Sequence, residues 1–178
     1  MIGKIVTATA VAFCALFFGA SAYASDGTIT FTGNISSATC TVKLGNGANG
    51  TGTIILPNVS SSVLSAAAQN AGATAFAINL SACTTGKTVN AFFEAGTNVD
   101  LLTGNLLNTG TATGVEVQLQ TAAGTNIAVG SPGQATNTGI NTTSTPSGTL
   151  NYIARYYATA ASAAGTVVST VTYSITYL

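Results

Sequence analysis

The chain has 178 residues, the length of one ordinary domain, and only 4% of them are charged, four basic against four acidic, giving a formal net charge of +0. That balance excludes the clustered basic surface of a nucleic-acid binder, so no nucleic-acid partner is expected. With no His, the chain lacks the side chain most used for acid-base work and metal ligation near neutral pH, so no catalysis, metal or cofactor is expected either.

Met1 to Ala24 carries one early charge, Lys4, then an apolar run through Phe13, Leu16, Phe17 and Phe18, then the small residues Gly19, Ala20, Ser21 and Ala22. These are the parts of a secretory signal peptide. The run is interrupted by Thr7 and Thr9 and is short for a bilayer span, and nothing like a second span follows. Ala22-Tyr23-Ala24 fits the A-x-A cleavage rule and sets a mature N-terminus at Ser25, with cleavage after Ala22 as the rival. Cys14 then leaves with the signal, and Cys40 and Cys83 remain in a chain bound for an oxidising compartment, where they are expected to pair. Closing a loop of that length stabilises a fold by ~4 kcal/mol on the chain-entropy model. The mature chain keeps Lys43, Lys87 and Arg155 against Asp26, Glu94, Asp100 and Glu116.

Period-two alternation then recurs along the chain, which predicts strands. Ile29, Phe31 and Ile35 alternate with Thr28, Thr30 and Thr32; Phe76, Ile78 and Leu80 precede Cys83; Val89, Ala91 and Phe93 follow it. Val115, Val117 and Leu119 alternate with Glu116, Gln118 and Gln120, and Leu150, Tyr152, Ala154 and Tyr156 with Ile153, Arg155 and Tyr157. The last run sets Val171, Tyr173, Ile175 and Tyr177 against Thr172, Ser174 and Thr176. Turn-forming stretches at Gly45 to Gly52, Thr84 to Gly86, Gly96 to Val99 and Gly130 to Gly148 separate these runs, and only Ser61 to Asn70 hints at a helical turn. The expected class is an all-β sandwich of the immunoglobulin-like kind. Its terminal strand, ending at Leu178 with its apolar row intact, needs a partner strand or leaves an open edge.

The candidate chemistry is thin. Gly45-Asn46-Gly47-Ala48-Asn49-Gly50 satisfies G-x-G-x-x-G, but Thr51 to Pro57 reads as a strand where a dinucleotide loop needs a helix N-terminus. Gly86-Lys87-Thr88 ends like a phosphate-binding loop, but Ser81 stands where the earlier glycine is required. Glu94, Asp100 and Glu116 could in principle supply the paired carboxylates of a glycoside hydrolase, but Glu94 and Glu116 fall on polar rows where solvated side chains are expected. Tyr152, Tyr156, Tyr157, Tyr173 and Tyr177 offer either a sugar-stacking platform or, more simply, sheet faces and core.

The order of fragments resembles a known family. Gly27-Thr28-Ile29-Thr30-Phe31-Thr32-Gly33-Asn34-Ile35 followed by Cys40-Thr41-Val42 resembles the opening of chaperone-usher fimbrial subunits of the type 1 pilin family. Leu56-Pro57-Asn58-Val59-Ser60, Phe76 to Cys83, Leu107 to Gly110 leading to Gly114-Val115-Glu116-Val117-Gln118-Leu119, and Ala154-Arg155-Tyr156-Tyr157 continue the match. Gly165, fourteenth from the end, and the penultimate Tyr177 complete it.

The resemblance implies an incomplete immunoglobulin-like β-sandwich lacking its final strand, completed by a donor strand from another subunit. Such strand addition is an established mode of peptide recognition in chaperone-pilin complexes, and it comes to this chain through the resemblance alone. The resemblance further implies residues 1–24 as a cleaved signal, 25–35 as an N-terminal donor strand and 36–178 as the pilin domain. The donor face would be Gly27, Ile29, Phe31 and Gly33, with Ile29 and Phe31 as anchors. The acceptor groove and chaperone contact would involve Gly165, Val171, Tyr173, Ile175 and Tyr177. Implied partners are neighbouring pilin subunits, a periplasmic chaperone and an outer-membrane usher, on a route through the periplasm to a surface fimbria that supports cell adhesion. The leader is short, since only Ser25 and Asp26 precede Gly27. A minor adaptor pilin and a monomeric secreted carbohydrate-binding module are the alternative functions.

Overall fold

An alternating row becomes a stable strand only where its backbone finds a ladder, and the final architecture follows from which rows do. The computed structural model describes residues 27–37, 39–136, 140–141 and 145–178. The predicted signal segment, its cleavage site, Ser25 and Asp26 lie outside the described residues. The chain divides into two units, Met1–Ile35 and Ser36–Leu178. In the first, Gly27 to Ile35 forms no strand, and Ile29, Phe31 and Ile35 are 80%, 91% and 100% exposed.

The second unit is built of two antiparallel sheets. Their strands are β1 (Thr41–Leu44), β2 (Asn70–Ser81), β3 (Thr88–Phe93), β4 (Leu106–Leu107), β5 (Thr113–Thr121), β6 (Ile140–Asn141), β7 (Gly148–Ala163) and β8 (Tyr173–Tyr177). One sheet runs β1-β2-β7-β5-β4 and the other β6-β3-β8. Register is fixed by burial: Phe76 faces Tyr152 and Ile78 faces Leu150 across β2 and β7, while Ala91 faces Ile175 and Phe93 faces Tyr173 across β3 and β8. Glycines at positive φ, Gly72 in β2 and Gly114 in β5, sit at the two register shifts of the large sheet, where an L-side chain would be strained.

The inward rows of both sheets meet in one core that includes Ile78, Leu80, Val89, Phe93, Leu119 and Leu150. At its centre Tyr152 stacks on Phe76, with ring centroids 5.4 Å apart, and receives Phe93 edge-on at 5.1 Å. Each such aromatic pair contributes about 0.5 to 1.5 kcal/mol beyond its area, and the Phe93 contact joins the small sheet to the large one. Cys40 and Cys83 form a disulfide with Cα atoms 4.1 Å apart, fastening the start of β1 to the end of β2.

Several expectations change. The row Glu116, Gln118 and Gln120, expected in water, is buried to 6%, 5% and 6% exposure. The chain from Asn98 to Asn105 closes over part of it: Asn105 Nδ2 and Thr103 Oγ1 donate to Glu116 Oε2 at 3.0 and 3.2 Å, and Gln118 Nε2 donates to Asn105 Oδ1 at 3.2 Å. Arg155 from β7 completes the layer, donating from Nε and Nη2 to Gln118 Oε1 and from Nη1 to Asn70 Oδ1. The stretch Gly130 to Gly148, expected as loop, contains a 3-10 helix at Pro132–Thr136 and the short β6. The hint at Ser61 to Asn70 is a single 3-10 turn, Ser61–Leu64, capped by Ser60. The strand expected at Ile29 to Ile35 pairs with no strand among the described residues, and its outward and inward rows are both exposed. Among the described residues no helix is long and apolar enough to cross a membrane.

Candidate functional site

The sequence Thr51 to Ser60 follows the glycine-rich turn after β1, where Gly45 takes φ +54° and Leu44 N–H closes onto Asn49 O at 2.8 Å. No helix follows that turn, so the dinucleotide pattern has no structural counterpart. Ile54 and Leu56 point inward and are half-buried, while Ile55 between them is 84% exposed. This is strand-like alternation, yet among the described residues no backbone hydrogen bond engages Gly52 to Val59.

A second extended segment lies between β7 and β8. Thr166, Val168 and Thr172 offer their carbonyls to the N–H groups of Ala112, Thr109 and Glu94 at 3.0, 2.8 and 2.9 Å. These residues share one edge of the segment, because successive backbone groups alternate in direction. The intervening Val167, Ser169 and Val171 have no backbone hydrogen bond among the described residues. The continuation, β8, is paired on one side only, by β3. Gly165 opens this segment, and a Cβ there would overlap the backbone of Thr111 and Ala112. Glycine is needed for that close crossing.

The two segments are the walls of a groove of about 1370 Å³. Its floor is the core itself, including Phe76, Ile78, Phe93, Val117 and Leu119. Among the described residues two side-chain hydrogen bonds join the walls: Tyr173 Oη donates to Gly50 O at 2.7 Å, and Ser162 Oγ to Ser61 O at 3.4 Å. Ser169 Oγ on the second wall is buried and has no hydrogen-bond partner among the described residues. Burial raises the Tyr173 phenol above its usual range, so it stays protonated and able to donate. The slot is apolar below and presents unpaired backbone edges on both sides, which is the recognition chemistry of an extended strand with alternating apolar side chains.

Of the site residues expected from the sequence, Gly165, Val171, Tyr173 and Ile175 line this groove. Tyr177 packs against the core beyond its end. The opposite wall, Thr51 to Val59, and Val167 are absent from that expectation; the apolar run Ile54-Ile55-Leu56 ending at Pro57 is the available signal. Gly27, Ile29, Phe31 and Gly33 belong to the other unit and are exposed.

The three carboxylates each accept a hydrogen bond from a neutral donor. Glu94, at the end of β3, accepts from Ser174 Oγ, and Glu116 is satisfied by Thr103 and Asn105. Asp100 accepts the Leu102 N–H at 2.9 Å, and this bond, against a smaller opposing effect of burial and with help from Thr103 and Glu116, holds its carboxyl below the usual range. Among the described residues no group of three or more His, Cys, Asp or Glu is placed to hold a metal.

Comparison with known proteins gives one consistent result. The family model of type-1 fimbrial protein A matches residues 56–178. The chain is similar to the major fimbrial subunit SMF-1 of Stenotrophomonas maltophilia, with 43% identity covering 88% of this chain and 95% of the relative. It is 37% identical to the F17 fimbrial protein of Escherichia coli, covering 86% and 88%. A chain from the structure of a chaperone-usher pilus superposes with a TM-score of 0.60 at 21% identity, covering 86% of this chain and 96% of the other.

Proposed function

We infer that this chain, which belongs to the type-1 fimbrial protein family, is a structural subunit of a surface fimbria. Its family consists of structural fimbrial subunits and not of enzymes, and we assign this chain no catalytic activity. It reaches the cell surface through the chaperone-usher route, with neighbouring pilin subunits, a periplasmic chaperone and an outer-membrane usher as its partners. The observation that carries the reading is the slot itself, two extended walls with unpaired inner edges over an apolar floor.

The occupant we propose is the segment 25–35 of the next subunit, after removal of 1–24 as a signal peptide. Gly27, Ile29, Phe31 and Gly33 would face the floor, Ile29 and Phe31 each contributing ~1.5 to 3 kcal/mol on burial. Gly27 would let the donor backbone lie close over a shallow stretch. The groove side would be formed by Gly165, Val171, Tyr173 and Ile175, with the chaperone occupying the same slot before the donor and reaching to Tyr177. The exposure of Ile29 and Phe31 supports the donor role, since two large apolar residues on one face of an unladdered segment await a partner.

Joining the segment Asp26 to Ile35 after Leu178 through a short Gly/Ser linker, in a chain that begins at Ser36, makes the donor intramolecular. Its effective concentration is then of order mM. That variant is expected to be a soluble monomer with a higher unfolding midpoint than the chain without the added segment. A scrambled segment lacking the Ile29 and Phe31 alternation should fail to rescue. Equal stability with and without the segment, by thermal unfolding and gel filtration, would mean that the fold is already complete and would favour the secreted binding module.

A further inference from the structure

The two side-chain contacts between the walls have a spacing that the groove alone does not explain. Gly50 meets Tyr173 and Ser61 meets Ser162, so one wall ascends in number while the other descends. Between the contacts each wall holds ten residues, 51–60 and 163–172. At roughly 3.3 Å per residue an extended stretch of ten spans at most about 33 Å. The exposed segment Gly27 to Ile35 has nine residues, about 30 Å when extended.

The two contacts are not equivalent. Ser162 Oγ to Ser61 O is long and exposed. Tyr173 Oη to Gly50 O is short and part-buried, and its ring packs against Phe93 with centroids 6.3 Å apart. The groove lining ends just past this bridge, at Val42 on one side and Ile175 on the other. Gly50 is shaped for it, because a Cβ at that position would stand 2.8 Å from the phenol oxygen.

We propose that Tyr173 is a positioning residue that closes one end of the groove by its hydrogen bond to Gly50 O and thereby sets where an inserted strand stops. The proposal rests on the donor-strand reading above. A strand sliding by one residue would turn its apolar row away from the floor, and sliding by two would move each anchor one pocket along. Alternation forbids the first slip and permits the second, so a fixed stop is what distinguishes registers two residues apart.

The experiment is amide hydrogen exchange, read by mass spectrometry, on assembled fibres of the wild-type chain, Tyr173→Phe and Gly50→Ala. Tyr173→Phe removes only the hydroxyl, and Gly50→Ala pushes the phenol away from the opposite wall, so the bridge is opened from each side independently. In wild-type fibres protection within 27–35 should end at one residue. In both variants it should spread or shift by two residues, with amides at the new boundary slowed by at least about tenfold. An unchanged boundary in both variants overturns the stop while leaving the donor reading intact. Loss of assembly in both variants also overturns it, since a stop sets where a strand ends and not whether it enters. No protection anywhere in 27–35 of wild-type fibres removes the donor reading, and the stop with it.

Discussion

Glu116 is a carboxylate held at 6% exposure by two neutral donors, Asn105 Nδ2 and Thr103 Oγ1. Removing the acceptor takes this partner from the buried Asn105 amide, while the exposed Thr103 hydroxyl can turn to water, and an unsatisfied buried donor costs about 1 to 3 kcal/mol. Glu116→Leu is therefore expected to lower stability by about that amount in urea unfolding of the self-complemented monomer, with Glu116→Gln, which keeps an acceptor oxygen, closer to wild type. Tyr173 makes stability depend on pH. Burial raises its phenol above the ordinary range, so the folded state holds this proton more tightly than the unfolded chain does. The stabilisation is fully present below the unfolded value of about 10 and is lost as pH rises through the folded one. Tyr156 is pushed upward by burial as well. Unfolding midpoints from about pH 9 to about pH 12 should thus fall for wild type and fall less steeply for Tyr173→Phe.

At the scale of elements, the test of the donor face is its two-residue period. Phe31→Asp would carry an unpaired charge onto an apolar floor, whereas Thr30 on the opposite row would carry it away from the floor. Fibres are expected from Thr30→Asp and not from Phe31→Asp in surface preparations, and equal assembly would mean that the register is wrong. The strands legible in the sequence are those with a period long enough to see: β2, β3, β5, β7 and β8 each carry at least three alternating apolar positions. The four residues of β1 and the two each of β4 and β6 are too short to show a period, and long-range pairing alone defines them. The polar row of β5 departs from expectation for a related reason. Glu116 and Gln118 are covered by residues 98–105 and by Arg155, contacts that no local pattern encodes. The wall of β8 is visible as an unpartnered apolar row; Thr51 to Pro57 reads as a strand as well, but nothing in its sequence marks it as the facing wall, because among the described residues no backbone ladder ties it to a neighbour.

For the whole molecule, the scarcity of charge fixes what holds it together. Four basic and four acidic side chains leave little for ion pairing, and Arg155 gives its guanidinium to the amides of Gln118 and Asn70. Stability then comes from apolar burial, the ladders and the Cys40–Cys83 bridge, none of which is screened by salt. The unfolding midpoint of assembled fibres is expected to stay level or rise slightly between about 0.01 M and 1 M sodium chloride, and a marked fall would point to charge pairs as the main support. The groove also sets the arithmetic of assembly. A chain with one slot and one tail has a valence of two with unlike ends, so junctions between copies are head-to-tail, and where the rotation from one copy to the next does not close on itself the product is an open filament. Such a filament cannot branch, has a direction, and holds one junction fewer than it has subunits. One terminus always displays an unused tail and the other an unfilled slot, so nothing in the repeating unit fixes its length, and termination belongs to a chain that carries only one of the two.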